Sequence, residues 1–208
     1  MTALERKLNS EHILRTLGIT ILDELPPIEE AAALDVRNPQ EIARRILILT
    51  YLNCIATNKE LSEDVIIFLK QDSLWDAASE EEKKLFTKSK LTLQEEDMIR
   101  WRGEAIWLLL WTIYKVEQLD LPAHEINPRD IFSLLPEFMT STADFVATAT
   151  IRPAFELLDQ ADFIFRLTWA IQKVQPVNTF DLELNPGIAY ERYFAISWVI
   201  SLRKQWED

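Results

Sequence analysis

Cysteine, histidine and glycine are scarce in this sequence. Its 208 residues include one cysteine, two histidines and three glycines. A single cysteine excludes an intramolecular disulfide, and common zinc sites need several His or Cys ligands, so we predict no metal and no cofactor. The glycines lie too far apart to form a phosphate-binding loop, and no Gly-x-Ser-x-Gly turn marks a serine hydrolase.

Positive charge and long apolar runs are also scarce. The chain has 22 Lys+Arg against 34 Asp+Glu, a formal net charge of −12, which argues against nucleic-acid binding because that needs a basic patch. The longest strongly apolar run, residues 105–114, falls short of the roughly 18–20 residues that cross a bilayer. The N-terminus is polar where a signal peptide would be apolar. We therefore expect a cytoplasmic protein with no membrane and no nucleic-acid partner.

Two kinds of capping signal predict where helices begin. An asparagine followed by proline combines a good N-cap with a residue suited to the first helical position. A threonine or serine with glutamate three residues later predicts a capping box. The predicted caps are Asn38, Asn127 and Asn185 of the first kind and Thr2, Ser79 and Thr92 of the second.

These signals and the apolar periodicity predict an all-α, single-domain bundle of about nine helices over residues 1–208. Stretches 46–52, 163–174 and 188–202 are apolar almost all round and should be central. The charged run 80–84 suggests a solvated surface helix, and the strand candidates 19–22 and 177–184 lack convincing partners. The helices are predicted at about 3–17, 39–57, 63–72, 80–89, 93–118, 128–135, 142–150, 153–174 and 187–205.

Charged side chains on the apolar helices form the candidate site. Glu191 and Arg192 lie on faces of the last helix that should be buried, and a buried charge needs a partner or an aqueous cleft. Asp162 and Arg166 have the favourable acid-first spacing of four residues. These side chains predict either a structural ion network or a ligand pocket walled by tryptophans, and we favour the network. The candidate residues are Glu191, Arg192, Arg166, Asp162, Glu104, Arg102, Trp101 and Trp169.

Four stretches carry a family resemblance: residues 41–45 (EIARR), 101–111 (WRGEAIWLLLW), 157–170 and 184–198 (LNPGIAYERYFAISW). On these residues the chain resembles a bacterial family catalogued as domain of unknown function 4272. The resemblance implies an α-helical, cytoplasmic bacterial protein and brings no activity with it. Thr168, Tyr193 and Ser197 stand where the family often has His, His and Asn, which weighs against an enzymatic role at those positions.

The leading functional hypothesis is a non-catalytic acidic protein that binds a basic protein partner, with an immunity- or antitoxin-like protein as its specific version. Its support is the charge of −12, which would steer a basic partner toward the chain. The alternative is a small-ligand binder, or an all-α hydrolase that depends on magnesium held by carboxylates. Either would use the Glu, Arg and Trp candidate residues. A third hypothesis is a structural homo-oligomer. The acid pairs with magnesium-like spacing are Glu60/Glu63, Glu117/Asp120 and Glu156/Asp159.

Overall fold

Side-chain caps fix where most of the helices begin. At the three Asn-Pro starts the asparagine oxygen accepts a backbone N–H of the first turn. At the three Thr or Ser starts both hydrogen bonds of the capping box form. The caps predicted from local sequence are therefore confirmed, and each satisfies a backbone donor that the helix itself leaves unpaired.

The computed structural model describes residues 1–28, 35–173 and 183–206. Within these residues it contains nine α-helices and no β-strand, which confirms the all-α prediction. None of the described helices is both long enough and apolar enough to cross a membrane. The helices are α1 (Ala3–Thr16), α2 (Pro39–Thr57), α3 (Ser62–Gln71), α4 (Glu80–Thr87), α5 (Leu93–Thr112), α6 (Pro128–Ser133), α7 (Ala143–Ala147), α8 (Ala154–Lys173) and α9 (Pro186–Val199), with short 3-10 helices at Lys59–Leu61 and Trp75–Ala77.

Two helices end six residues earlier than predicted. The α5 helix ends at Thr112 rather than 118, because Tyr114 adopts a left-handed backbone conformation with φ 61°. The α9 helix ends at Val199 rather than 205, and Ser201 has φ 56°. Glycine usually occupies such positions, so a tyrosine and a serine gave no sequence signal for either end.

The strand candidates do not become strands in the part of the chain that the structure describes. Residues 19–22 form an irregular connection after α1. Most of the second candidate, 177–184, lies outside the described residues, and its last two residues are irregular.

The backbone contacts divide the chain into two compact units. The terminal unit comprises Met1–Arg37, Gln118–Glu125 and Arg152–Asp208, and the central unit comprises Asn38–Glu117 and Ile126–Ile151. The helices α1, α8 and α9 belong to the first, and α2 to α7 belong to the second. That the whole chain acts as one domain stays a prediction.

The core of the central unit is the pairing of α2 with α5. All residues from 46 to 52 on α2 are buried, so the prediction that this stretch is surrounded by other elements is confirmed. Most of the second half of α5 is buried as well. Each fully buried leucine or isoleucine contributes about 1.5–3 kcal/mol relative to an exposed one.

An ion pair fastens α4 to α2 in the central unit. The Nη1 atom of Arg45 lies 2.6 Å from both carboxylate oxygens of Glu82, and its Nη2 donates to the Ala77 carbonyl at 3.0 Å. Glu82 belongs to the run predicted as a solvated face, but it is only 5% exposed. The helical period places it on the same side as buried Phe86, four residues later, so the prediction is wrong for this residue.

The terminal unit packs α9 against α8, and α8 against α1. The α9 helix is buried on nearly every side, as predicted. The Thr168 hydroxyl donates to the Ala189 carbonyl at 3.2 Å and joins α8 to α9. After α9 the chain turns back and places Trp206 edge-on against Phe194 and Trp198, with ring centroids 4.9 and 5.3 Å away.

We predict that Glu82→Gln lowers the free energy of unfolding by about 3 kcal/mol, because it removes the negative charge that lies 2.6 Å from the largely buried Arg45 guanidinium. The matched control is Glu81→Gln on the same helix, where the side chain is exposed and the change should stay within about 0.5 kcal/mol. Urea unfolding of both variants measures the difference. Equal stabilities would contradict a fastening role for the Arg45–Glu82 pair.

Candidate functional site

The best connected of the predicted site residues lie buried in the terminal unit. Asp162 and Arg166, one turn apart on α8, are 0% and 1% exposed. The Nε and Nη2 atoms of Arg166 donate to the two carboxylate oxygens of Asp162 at 2.9 and 3.0 Å. Two parallel bonds to one carboxylate are the strongest arrangement open to an arginine, and they fix its orientation. The pairing predicted from the spacing is present.

The α1 helix supplies a further partner that the sequence analysis missed. Glu11, which is 4% exposed, places Oε1 3.5 Å from Nη1 of Arg166 and 3.6 Å from the Lys7 ammonium. Lys7 in turn donates to the backbone carbonyls of Asp23 and Leu25 at 2.9 and 2.7 Å. One network therefore ties α1, α8 and the segment after α1 together.

Every N–H of the Arg166 guanidinium has an acceptor. Besides the two bonds to Asp162, Nη2 donates to the Pro26 carbonyl at 2.9 Å. Nη1 donates to the Leu25 carbonyl at 3.4 Å and to Glu11 at 3.5 Å. A guanidinium has five N–H donors, so none remains for a ligand. This geometry supports a structural ion network at Asp162 and Arg166 rather than a ligand pocket.

A second buried pair joins the same two helices. Arg6 on α1 is 2% exposed and donates from Nε to Asp159 Oδ1 at 3.0 Å. Arg6, Ser10 and Leu14 recur every four residues on the buried stripe of α1. A charge on a buried stripe is the signal that singled out Glu191 on α9, and the same signal was available on α1.

The charges of α9 are buried beside a small hollow. Glu191 and Arg192 are 7% and 5% exposed, which fits their predicted position on packed faces. Nη1 of Arg192 donates to the Asp120 carbonyl at 2.5 Å, and the residue lines a hollow of about 130 Å³. That volume is below the roughly 300–1,000 Å³ of ligand sites. Trp169 is half-buried, and the Lys173 ammonium lies 5.6 Å from its ring centroid.

The other predicted site residues lie on α5, in the central unit. Glu104 is buried, and its Oε1 accepts the backbone N–H of Ile126 at 2.7 Å. Trp101 and Arg102 are half-buried. The Glu104 carboxylate therefore holds the start of the segment that leads into α6.

One of the acid pairs with magnesium-like spacing is engaged by arginines. The Arg152 guanidinium lies 3.1 Å from Glu156, and Arg6 lies 3.0 Å from Asp159, so each acid of this pair has its own cation. In residues 1–28, 35–173 and 183–206, no three His, Cys, Asp or Glu side chains lie close enough together to hold a metal ion.

An open cleft of about 460 Å³ lies within the central unit, and no sequence pattern indicated it. One wall is the C-terminal half of α2, and the other is the segment from Phe132 to Phe138, which Pro136 keeps from continuing α6 as a helix. Its volume falls in the range of small-molecule sites. The lining residues are Leu47, Thr50, Tyr51, Cys54, Thr57, Asn58, Leu61, Phe132, Leu135, Pro136, Glu137, Phe138 and Thr142.

Tyr51 holds the two walls of the cleft in place. Its ring lies 5.2 Å from the ring of Phe68 and 5.6 Å from that of Phe138. Its hydroxyl oxygen accepts the backbone N–H of Met139, which has a left-handed φ of 58°. Burial raises the pKa of Tyr51 above its usual value, so the phenol keeps its proton at neutral pH.

Cys54 contributes a thiol to the same cleft. Burial raises the pKa of Cys54 to about 11. The thiolate is the nucleophilic form of cysteine, and at neutral pH very little of it is present. Cys54 therefore acts as a small apolar lining residue.

The cleft also reaches a polar anchor. The Asp72 carboxylate accepts both the backbone N–H and the hydroxyl of the lining residue Thr142. These bonds tie the segment before α7 to the end of α3, so the cleft is built from fixed elements. A preformed lining lowers the entropy that a ligand loses on binding.

A further hollow of about 380 Å³ lies at the end of α9. Tyr193 and Ser197 both line it, together with Leu202, Arg203 and Lys204. Within the described residues the buried Ser197 hydroxyl has no hydrogen-bond partner.

The comparisons with known proteins give one family. A family model described as a domain of unknown function (DUF4272) matches residues 6–208, so the resemblance drawn from the four sequence stretches is confirmed. No curated protein and no solved structure matches the chain.

We predict that Asp162→Asn lowers the free energy of unfolding by about 3–5 kcal/mol, since it removes the negative charge that is paired with a buried guanidinium through two hydrogen bonds. Asp23→Asn is the matched control in the same unit, because the Arg15–Asp23 pair is exposed, and its effect should stay below about 1 kcal/mol. Thermal unfolding of both variants provides the measurement. Unchanged stability in Asp162→Asn would mean that the Asp162–Arg166 pair does not stabilise the fold.

We also predict that Cys54 reacts with iodoacetamide at least about tenfold more slowly at pH 8 than the same thiol in urea-unfolded chain. The reason is its pKa of about 11, and the rate in the folded protein should keep rising up to that pH. Mass spectrometry against time measures the rate, and no other cysteine competes. A rate that levels off near pH 9 would contradict the burial of this thiol.

Proposed function

Since this chain belongs to the DUF4272 family, whose description assigns no activity, we propose its function from its own geometry: it is a non-catalytic binding protein that holds a small, mainly apolar ligand in the cleft of the central unit. This retains the binding class of the leading sequence hypothesis. The proposed ligand site is instead the cleft, and none of the predicted Glu, Arg and Trp site residues lines it.

The open cleft is the observation that carries the proposal. Its volume of about 460 Å³ is that of a small-molecule site, and leucine, phenylalanine and proline side chains make up much of the lining. An apolar molecule that covers such an open apolar surface removes it from water, which is favourable. The hydrogen bonds of Tyr51 and Thr142 fix the walls in advance of binding.

The ionisable groups of both units support binding rather than catalysis. Tyr51 and Cys54 keep their protons at neutral pH because burial raises their pKa values. In the terminal unit, the Arg166 guanidinium uses all its donors within the network. These groups hold elements together or line a wall, which is the work of a binding scaffold.

The basic protein partner of the sequence analysis remains a second candidate ligand. Its support is the net charge of −12, which speeds encounter with a basic surface. The immunity- or antitoxin-like version, a bacterial source, a cytoplasmic location and a homo-oligomer stay predictions.

The test uses the neutral probe N-phenyl-1-naphthylamine, whose fluorescence rises in an apolar site. We predict that the full chain binds it and that Leu135→Trp, which adds bulk to the lining, weakens binding about tenfold, or about 1.4 kcal/mol. Leu134→Trp is the matched control, since this neighbour is also half-buried but does not line the cleft.

Circular dichroism checks that both tryptophan variants fold. Binding that is equally weakened in both variants, or a wild-type chain that binds no probe, would overturn the proposal. Binding lost in Leu135→Trp alone supports it.

A further inference from the structure

We infer that the cleft takes a small cationic amphiphile, an amine whose apolar body fills the cleft while its ammonium head lies at Glu137. This inference rests on the proposed function and names the ligand class for the same site. It depends on how charges and hydrogen-bonding groups are distributed along the lining.

Glu137 gives the rim of the cleft its charge. It is exposed, and of the side chains that line the cleft in the described structure it is the one that carries a charge at neutral pH. Its backbone carbonyl is occupied by the N–H and hydroxyl of Thr140, at 3.0 and 2.8 Å, which fixes the turn that presents the carboxylate.

The nearest lysine in sequence to the α2 wall is directed elsewhere. The Lys59 ammonium donates to the carbonyls of Leu85 and Phe86 at 2.9 and 3.0 Å. The lining, as the described residues form it, contains no lysine and no arginine. An anionic head would meet the Glu137 carboxylate without a compensating cation, whereas a cationic head would be attracted.

Two exposed aromatic rings line the same cleft as this carboxylate. Phe132 and Phe138 line the cleft and remain 45% and 48% exposed. Aromatic faces attract ammonium groups, and aromatic residues combined with a carboxylate are a common setting for bound amines. The rings thus provide both apolar contact for the ligand body and attraction for its head.

The threonine hydroxyls of the lining favour a hydrogen-bond donor. Thr50 and Thr57 use their hydroxyl protons on the carbonyls of Ile46 and Asn53, at 2.8 and 3.1 Å. Each of these two oxygens then has only lone pairs available, so it can accept a hydrogen bond but cannot donate one. These two hydroxyls therefore offer no proton to an anionic head group, which needs donors.

The test compares three ligands with one apolar body: 4-phenylbutylamine, 4-phenylbutan-1-ol and 4-phenylbutanoate. Each displaces N-phenyl-1-naphthylamine from the full chain at low salt. We expect the amine to bind about fivefold more tightly than the alcohol, and the carboxylate most weakly. Glu137→Gln should bring amine and alcohol to equal affinity, while the exposed control Glu81→Gln keeps the difference.

The outcomes separate this inference from the proposed function. If neither the probe nor any of the three ligands binds the wild-type chain, the proposed function and this inference both fail. If the probe and the alcohol bind but the amine binds no more tightly, or if its advantage survives Glu137→Gln, only the inference is overturned. An advantage that disappears in Glu137→Gln and persists in Glu81→Gln supports it.

Discussion

The terminal unit depends on the Arg166 guanidinium. An arginine so completely removed from water is strongly unfavourable unless its charge and all its N–H groups are matched. Asp162, on the same helix, supplies two bonds that form as soon as α8 is helical. The remaining donors need Glu11 from α1 and the carbonyls of residues 25 and 26, so matching them also positions those segments. The packing of α1 on α8 therefore provides partners that the buried Arg166 charge requires.

The central unit is organised by a different constraint. Its α2–α5 pair is largely apolar, and α2 needs cover on every side. Along its C-terminal half, part of that cover is the segment from Phe132 to Phe138, which is helical only at its first two residues. The cleft is the space that remains between them. Larger side chains that filled this space would increase apolar contact and stabilise the fold. The open cleft therefore leaves the fold less stable than it could be, which is typical of binding sites.

The helix starts were predictable and the cleft was not, for physical reasons. Caps and the Asp162–Arg166 pair depend on residues three or four apart, so the local sequence contains all their information. The partnership of Glu11 with Arg166 joins residues 155 apart, and only the fold brings them together. The ends of α5 and α9 rest on a tyrosine and a serine that adopt a backbone conformation usually left to glycine. A cleft is a gap between side chains that do not quite meet, and no pattern in one dimension records its volume.

The terminal unit is assembled from the two ends of the chain, and this affects its synthesis. On the ribosome α1 emerges before the central unit, and the whole central unit emerges before the α8 residues that Arg6 and Glu11 pair with. An apolar helix waiting that long would expose a surface prone to aggregation. The face that α1 later buries carries Arg6, Ser10 and Glu11, and water solvates these side chains well until α8 has been synthesised. The same charges that join α1 to α8 thus keep the nascent α1 hydrated until its partner helix has been made.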